Sequence, residues 1–253
     1  MRGLWALFKC ELLYWRVYPL NLINDFIGYF TWIAPFLFAA TLFGDYKDFQ
    51  IFIAVGLILW NWLVIFFWGV GYGVRHTIDQ GVLESIAASP TSVHTLLIAK
   101  ALISLVQNIF ATASILFWLW LLLGLTLEAH WGKLFLIVAL SSVALSGLAL
   151  IFAAFVIWVK EAASIGDIIH QCLGLLSGIT FPVYILPAGV RVLSSLIPLT
   201  YAIKGARNAV LGECIVLEAM MLVLFAVITV PLGWYLVSAA DRKLRRSGTW
   251  GEY

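Results

Sequence analysis

Six long apolar stretches, separated by short polar breaks, dominate the chain. A bilayer core about 30 Å thick takes about 20 apolar residues of helix. That length predicts spans over 26–43, 51–73, 101–126, 134–159, 164–183 and 215–239. The second runs for 23 residues, Ile51 to Gly73, without a charge. The fifth carries Asp167, His170 and Gln171 in its first half, and the sixth carries Glu218 near its start. Alternating stretches of barrel-strand length are absent. The expected fold is therefore an all-α integral membrane domain with six transmembrane helices.

Ahead of the first span, residues 1–25 follow a different pattern. Leu4, Phe8, Leu12 and Trp15 recur at helical spacing, while Arg2, Lys9 and Arg16 recur every seven residues and fall on one stripe. With Trp5 completing the apolar arc, this predicts a helix lying in the membrane interface with its cations toward lipid headgroups.

Composition agrees with the pattern. Of 253 residues, 63% are hydrophobic and 11% charged, against about 25% charged in a soluble domain, and mean hydropathy is +1.03. Such a chain cannot hide its apolar surface in a soluble core, and a net charge of +2 is no footprint for nucleic acid. Cys10, Cys172 and Cys214 are too scattered for a disulfide framework or a zinc site. Lys and Arg set the orientation: with the N-terminus inside, ten lie in inner segments and five in outer ones. Both termini are expected in the cytoplasm of a cell membrane, with 240–253 as a cytosolic tail.

Two connections depart from simple loops. Between spans two and three, Thr77-Ile78-Asp79-Gln80 has capping-box spacing and predicts a helix start. Val82, Leu83, Ile86 and Ala87 would form its apolar stripe, and Ser89-Pro90 reads as the start of the next helix. Between spans five and six, Pro182, Pro187 and Pro198 cut residues 182–212 into pieces too short to span. Ser195, Pro198 and Thr200 offer helix starts and Gly212 a stop. Non-helical backbone at membrane depth must be buried in protein or line a cavity. This segment is expected to hold short re-entrant outer helices, with Lys204 and Arg207 reaching to the outer surface.

Gln80-Gly81-Val82-Leu83-Glu84, Ser89-Pro90 and Leu96-Leu97-Ile98-Ala99-Lys100 together resemble the stretch after span two in type 2 ATP-binding-cassette (ABC) exporter permeases. Leu176-Ser177-Gly178-Ile179-Thr180-Phe181-Pro182, Leu186-Pro187 and Ile197-Pro198-Leu199-Thr200-Tyr201, then Arg207 and Leu211-Gly212, resemble that family's segment after span five. The resemblance implies a half-transporter paired with a second copy or a close paralogue and driven by separate ATPase subunits, which would bind the ATP and magnesium. It also implies a coupling helix over 77–89 that rests on the ATPase from Asp79 to Ser89, with Gly81 and Glu84 matching the pattern. Lys160 and Glu161 would make a second contact, and Pro182, Pro187, Pro198, Tyr201 and Arg207 belong to the outer gate. No cofactor is expected in the chain itself. Its one Gly-Lys pair, Gly132-Lys133, lacks the flanking residues of a phosphate loop.

Two other functions compete. An intramembrane enzyme would rest on Asp167 and His170, three residues apart, but no zinc-protease or paired-aspartate motif accompanies them. An ion-gradient-driven transporter would show inverted repeats and helices broken at midplane, whereas the breaks here cluster at one end. The resemblance leaves the cargo open among lipids, glycans and drug-like amphiphiles. Gly28, Gly166, Gly174 and Gly178 offer close helix approach, which places span five near the axis of an expected dimer.

Overall fold

The computed structural model describes residues 2–42, 47–79, 92–124, 129–158 and 162–247, and every regular element among them is helical. Helix α1 (Arg2–Val17) leads into α2 (Pro19–Leu42) and α3 (Lys47–Phe66), which continues through a π-helical turn (Phe67–Tyr72) into α4 (Gly73–Asp79). Then follow α5 (Val93–Leu123), α6 (Trp131–Trp158), α7 (Ala162–Leu176), a 3-10 turn (Val183–Ile185), α8 (Ala188–Ser195), α9 (Pro198–Leu211) and α10 (Val216–Ser247). Among the described residues, four helical stretches are long and apolar enough to cross a membrane: Phe49–Thr77, Val93–Leu122, Trp131–Ile157 and Val216–Lys243. They overlap the second, third, fourth and sixth expected spans, the third starting eight residues earlier than expected. The first expected span falls in α2 as far as Leu42, and the fifth falls in α7, whose 15 residues stop short of a crossing; neither is among the four.

The α3 stretch is the hub. Its apolar window is 61% buried, against 22% for α10 at the periphery. The longest seam joins α6 to α10 and is built on small residues. A Cβ on Gly147 would collide with Thr229, and one on Gly233 would sit 2.7 Å from the Leu150 Cβ. Thr229 donates across this seam to the Ala144 carbonyl at 3.3 Å. Between helices in lipid, such close backbone approach supplies the packing that the hydrophobic effect supplies in water.

At the α4 end of the hub, Phe152 of α6 stacks on Phe67 of the π-turn at 3.8 Å. Its ring tip faces Gly166 of α7, where a Cβ would lie 2.6 Å away. A Cβ on Gly174 would likewise meet the Trp60 indole at 2.7 Å. Two glycines expected at a dimer axis are therefore taken up by neighbours within the chain. Gly28 alone of the four has no atom within 4 Å of a Cβ position.

Three local expectations change. Thr77 does not begin a helix: it is buried in the last turn of α4, and its hydroxyl donates back to the Gly73 carbonyl at 2.8 Å. The helix expected to start at Ser89-Pro90 begins at Val93, capped by Ser92, whose Oγ accepts from the Thr95 amide at 3.2 Å. The fifth span ends as a helix at Leu176 rather than Val183, because Gly178 turns left-handed at φ +75°.

Leu4, Phe8, Leu12 and Trp15 are half-buried, Lys9 and Arg16 are exposed, and α1 packs mainly on α5. Trp5 points away from the chain at 64% exposure. Arg2 is the first residue of the helix.

Candidate functional site

The residues that the sequence assigns to ATPase contact fall mostly outside the described part of the chain. Asp79 closes α4, while Gln80, Gly81, Val82, Leu83, Glu84, Ser89, Pro90, Lys160 and Glu161 lie outside the described residues. The helix ends that flank both connections are nevertheless placed. Phe152, two turns before the end of α6, packs on the π-turn, and α4 packs on α6. His94, one residue into α5, bonds Ser238 near the end of α10 at 2.9 Å, with its ring 4.2 Å from Trp234. The ends of α4, α6 and α10 and the starts of α5 and α7 therefore share one end of the bundle.

The opposite end carries the proline-broken segment. Each proline opens an element, as a residue lacking an amide proton can. Pro182 precedes the 3-10 turn, Pro187 precedes α8, and Pro198 is the first residue of α9. Gly212 stops α9 at φ +77°, and the Glu213 amide returns to the Asn208 carbonyl at 2.8 Å. Thr200 donates to the Ser194 carbonyl at 2.8 Å, and Tyr201 donates through its phenol to the Ser195 carbonyl at 3.1 Å. These bonds tie α9 back onto α8. Lys133, at the start of α6, donates to the carbonyls of Gly212 and Glu213, both at 2.8 Å.

Arg207 is the centre of this end. It does not reach outward, as the sequence leads one to expect. Its guanidinium turns inward, with Nη1 donating to the Gly178 carbonyl at 2.9 Å and Nη2 to the Ile179 carbonyl at 2.6 Å. Nε and Nη2 also donate to the Phe52 carbonyl of α3 at 3.1 and 3.0 Å, and the cation sits 3.3 Å over the Phe52 ring. The reason is local. Gly178 and Ile179 lie past the end of α7 at Leu176, in a turn that offers their carbonyls no helical partner. A planar fork of five donors can satisfy several carbonyls at once, which an ammonium cannot do with the same geometry. Gly56 completes the fit, because a Cβ there would collide with the Ile179 carbonyl and lie 2.8 Å from Nη2.

Lys204, by contrast, is exposed and pairs at 3.3 Å with Glu218, which is buried in α10. Asn208 also donates to Glu218 at 3.3 Å. Arg191 donates to the Tyr184 and Leu186 carbonyls at 2.8 and 3.2 Å. A cavity of about 480 Å³ opens between α9 and the 182–191 stretch, with Tyr184, Arg191, Tyr201, Lys204 and Arg207 on its walls. Its lining is mainly apolar, and the three cations on it are already engaged by carbonyls or by Glu218. Sequence reasoning missed Phe52 and Gly56, because the same charge-free span also holds Gly69, Gly71 and Gly73 and nothing sets Gly56 apart.

His170 lies 3.8 Å from Asp167, near the Gly166 carbonyl at 3.1 Å, with its ring 6.5 Å from that of Trp60 and 6.0 Å from that of Trp68. Among the described residues no group of three His, Cys, Asp or Glu side chains could hold a metal ion.

No curated protein matches the chain. A family model described as ABC-2 type transporter matches residues 3–211, from α1 to the end of α9. That match takes in α1, the hub and the proline-broken end, and the chain belongs to the ABC-2 type transporter family, as a multi-pass transmembrane permease of an ABC transporter.

Proposed function

We propose that this permease is one half of an exporter that moves an amphipathic lipid, glycan or drug-like molecule outward. Members of the family normally work with an ABC ATPase subunit, and ATP hydrolysis on such a separate subunit would drive the cycle. In this reading the chain crosses the membrane six times. Residues 26–43 make the first crossing, and α7 with the broken stretch to Val183 makes the fifth. Both termini are cytoplasmic, α1 lies along the inner surface, and α8 and α9 form a re-entrant gate in the outer leaflet. A second copy or a close paralogue completes the pathway, since six helices enclose little space for a sizeable cargo.

One observation carries the reading: the helix ends flanking 80–91 and 159–161 share one end of the bundle, while the Arg207-pinned segment occupies the other. A docking surface at one end and a breakable closure at the other are what ATP-driven alternating access requires. Asp79 to Ser89 would rest on the ATPase, with Gly81 permitting close approach and Glu84 pairing with a basic residue.

The test uses the chain reconstituted with its ATPase. Gly81→Trp should block close approach, and Glu84→Lys should set like charges together at a cost of several kcal/mol if desolvated. Both variants should insert at normal abundance yet lose transport and substrate-stimulated ATP hydrolysis together. Normal transport in both would refute the docking role.

A further inference from the structure

A second polar cavity, of about 270 Å³, lies between the π-turn and the first half of α5, at the end of the bundle that carries the 80–91 connection. Trp68, Tyr72, His76, Lys100, Ser104 and Gln107 line it. Two glycines make it possible. A Cβ on Gly69 would collide with the Ser104 hydroxyl and lie 3.9 Å from the Gln107 Oε1, and one on Gly73 would meet the Lys100 stem at 2.9 Å. The missing side chains let these three residues of α5 lie against the backbone of the π-turn, a local widening of the helix found often at functional sites.

Two buried polar side chains here have no hydrogen-bond partner among the described residues. Ser104 is 1% exposed, yet its hydroxyl has no hydrogen-bond partner among the described residues. One turn further along α5, Asn108 is fully buried with both amide atoms in the same condition. Buried polar groups in proteins are nearly always satisfied, and each exception calls for an explanation such as a ligand. The lining can donate through an ammonium, a hydroxyl, an amide, a phenol, an indole and an imidazole. Such a set suits an anion with several acceptor oxygens. The volume fits a headgroup rather than a whole lipid, and the aromatic walls of Trp68 and Tyr72 suit the neck of an amphiphile.

We propose that this cavity binds the phosphate headgroup of an amphiphile, with Lys100 as counter-charge, Ser104 and Gln107 as donors, and Trp68 and Tyr72 as flanking walls. The inference rests on the permease reading for its relevance to transport, but the binding itself needs no ATPase. The ligand would touch both helices that flank the 80–91 connection, so its arrival could be felt at the docking element.

The experiment is native mass spectrometry of the full chain in neutral maltoside micelles, titrated with dodecyl phosphate. One saturable adduct per chain is expected. Lys100→Gln should weaken it at least tenfold, Lys100→Arg should hold it within threefold, and Lys133→Gln, at the opposite end, should leave it unchanged. If Lys100→Gln cannot be recovered from membranes, Gln107→Leu carries the same expectation. Binding that is absent, or unaltered by these cavity variants, would overturn the proposal. Inorganic phosphate binding as tightly as dodecyl phosphate would overturn the amphiphile and leave a free-anion site. Failure of the Gly81 and Glu84 variants to uncouple transport, with dodecyl phosphate still bound through Lys100, would refute ATPase docking and leave this site standing.

Discussion

Arg207→Lys tests whether the guanidinium fork holds the outer end closed. The wild-type side chain makes four hydrogen bonds to three carbonyls, those of Phe52, Gly178 and Ile179. A lysine ammonium ends one atom short of the guanidinium fork and can serve one or two of them. At least one carbonyl of the Gly178–Ile179 break is then left buried and unpaired, at about 1–3 kcal/mol. Charge is retained, so the change isolates geometry from electrostatics. Weakened stacking on Phe52 adds about 0.5–1 kcal/mol. The sum, about 1.5–4 kcal/mol, should lower the unfolding midpoint in micelles by several degrees for a chain of this size. The local readout is sharper. With the three native cysteines replaced by alanine, a single cysteine at Ile179 should react slowly with a polar thiol reagent in the parent and much faster in the Arg207→Lys variant. An unchanged midpoint and an unchanged labelling rate would show that packing of α9, not the fork, holds the break. Arg207→Met separates a further possibility. If desolvation of the buried cation outweighs its bonds, methionine will be the more stable of the two variants.

Gly56→Ala should force Ile179 and Arg207 away from α3 and cost about 1–3 kcal/mol by overpacking, read as a drop in thermal midpoint, whereas Gly28→Ala, which meets open space, should cost less than about 0.5 kcal/mol. Glu218→Gln keeps an acceptor for Asn208 and loses only an ion pair whose lysine is exposed, so it should cost under about 1 kcal/mol; Glu218→Ala, which leaves Asn208 without that acceptor, should cost more in the same melt. Changing Arg2, Lys9 and Arg16 together to Glu should reduce the yield of membrane-inserted protein, since each cation beside an anionic leaflet contributes about 1 kcal/mol. Wild-type yield and transport in that triple variant would count against α1 as an interfacial helix.

The sequence by itself determined the helical class, the approximate places of the four long helices, the breaks at Pro182, Pro187 and Pro198 and the stop at Gly212. These are local properties, set by hydrophobic run length, helical period and residues with fixed backbone preferences. The family was legible too, because its motifs flank the same helices. What the tertiary structure alone decided is where shared surfaces go. Gly166 and Gly174 read equally well as contacts to a second chain, until Phe152 and Trp60 are found against them. Thr77 looks like a helix start in sequence, yet the helix arriving from α3 already occupies it, and its hydroxyl turns back to Gly73. Arg207 shows the same limit. A cation near a membrane surface ordinarily extends its charge toward water, and nothing adjacent in sequence says otherwise. It turns inward because the break after α7 leaves carbonyls without helical partners, and folding brings those carbonyls and the Phe52 ring of α3 within its reach.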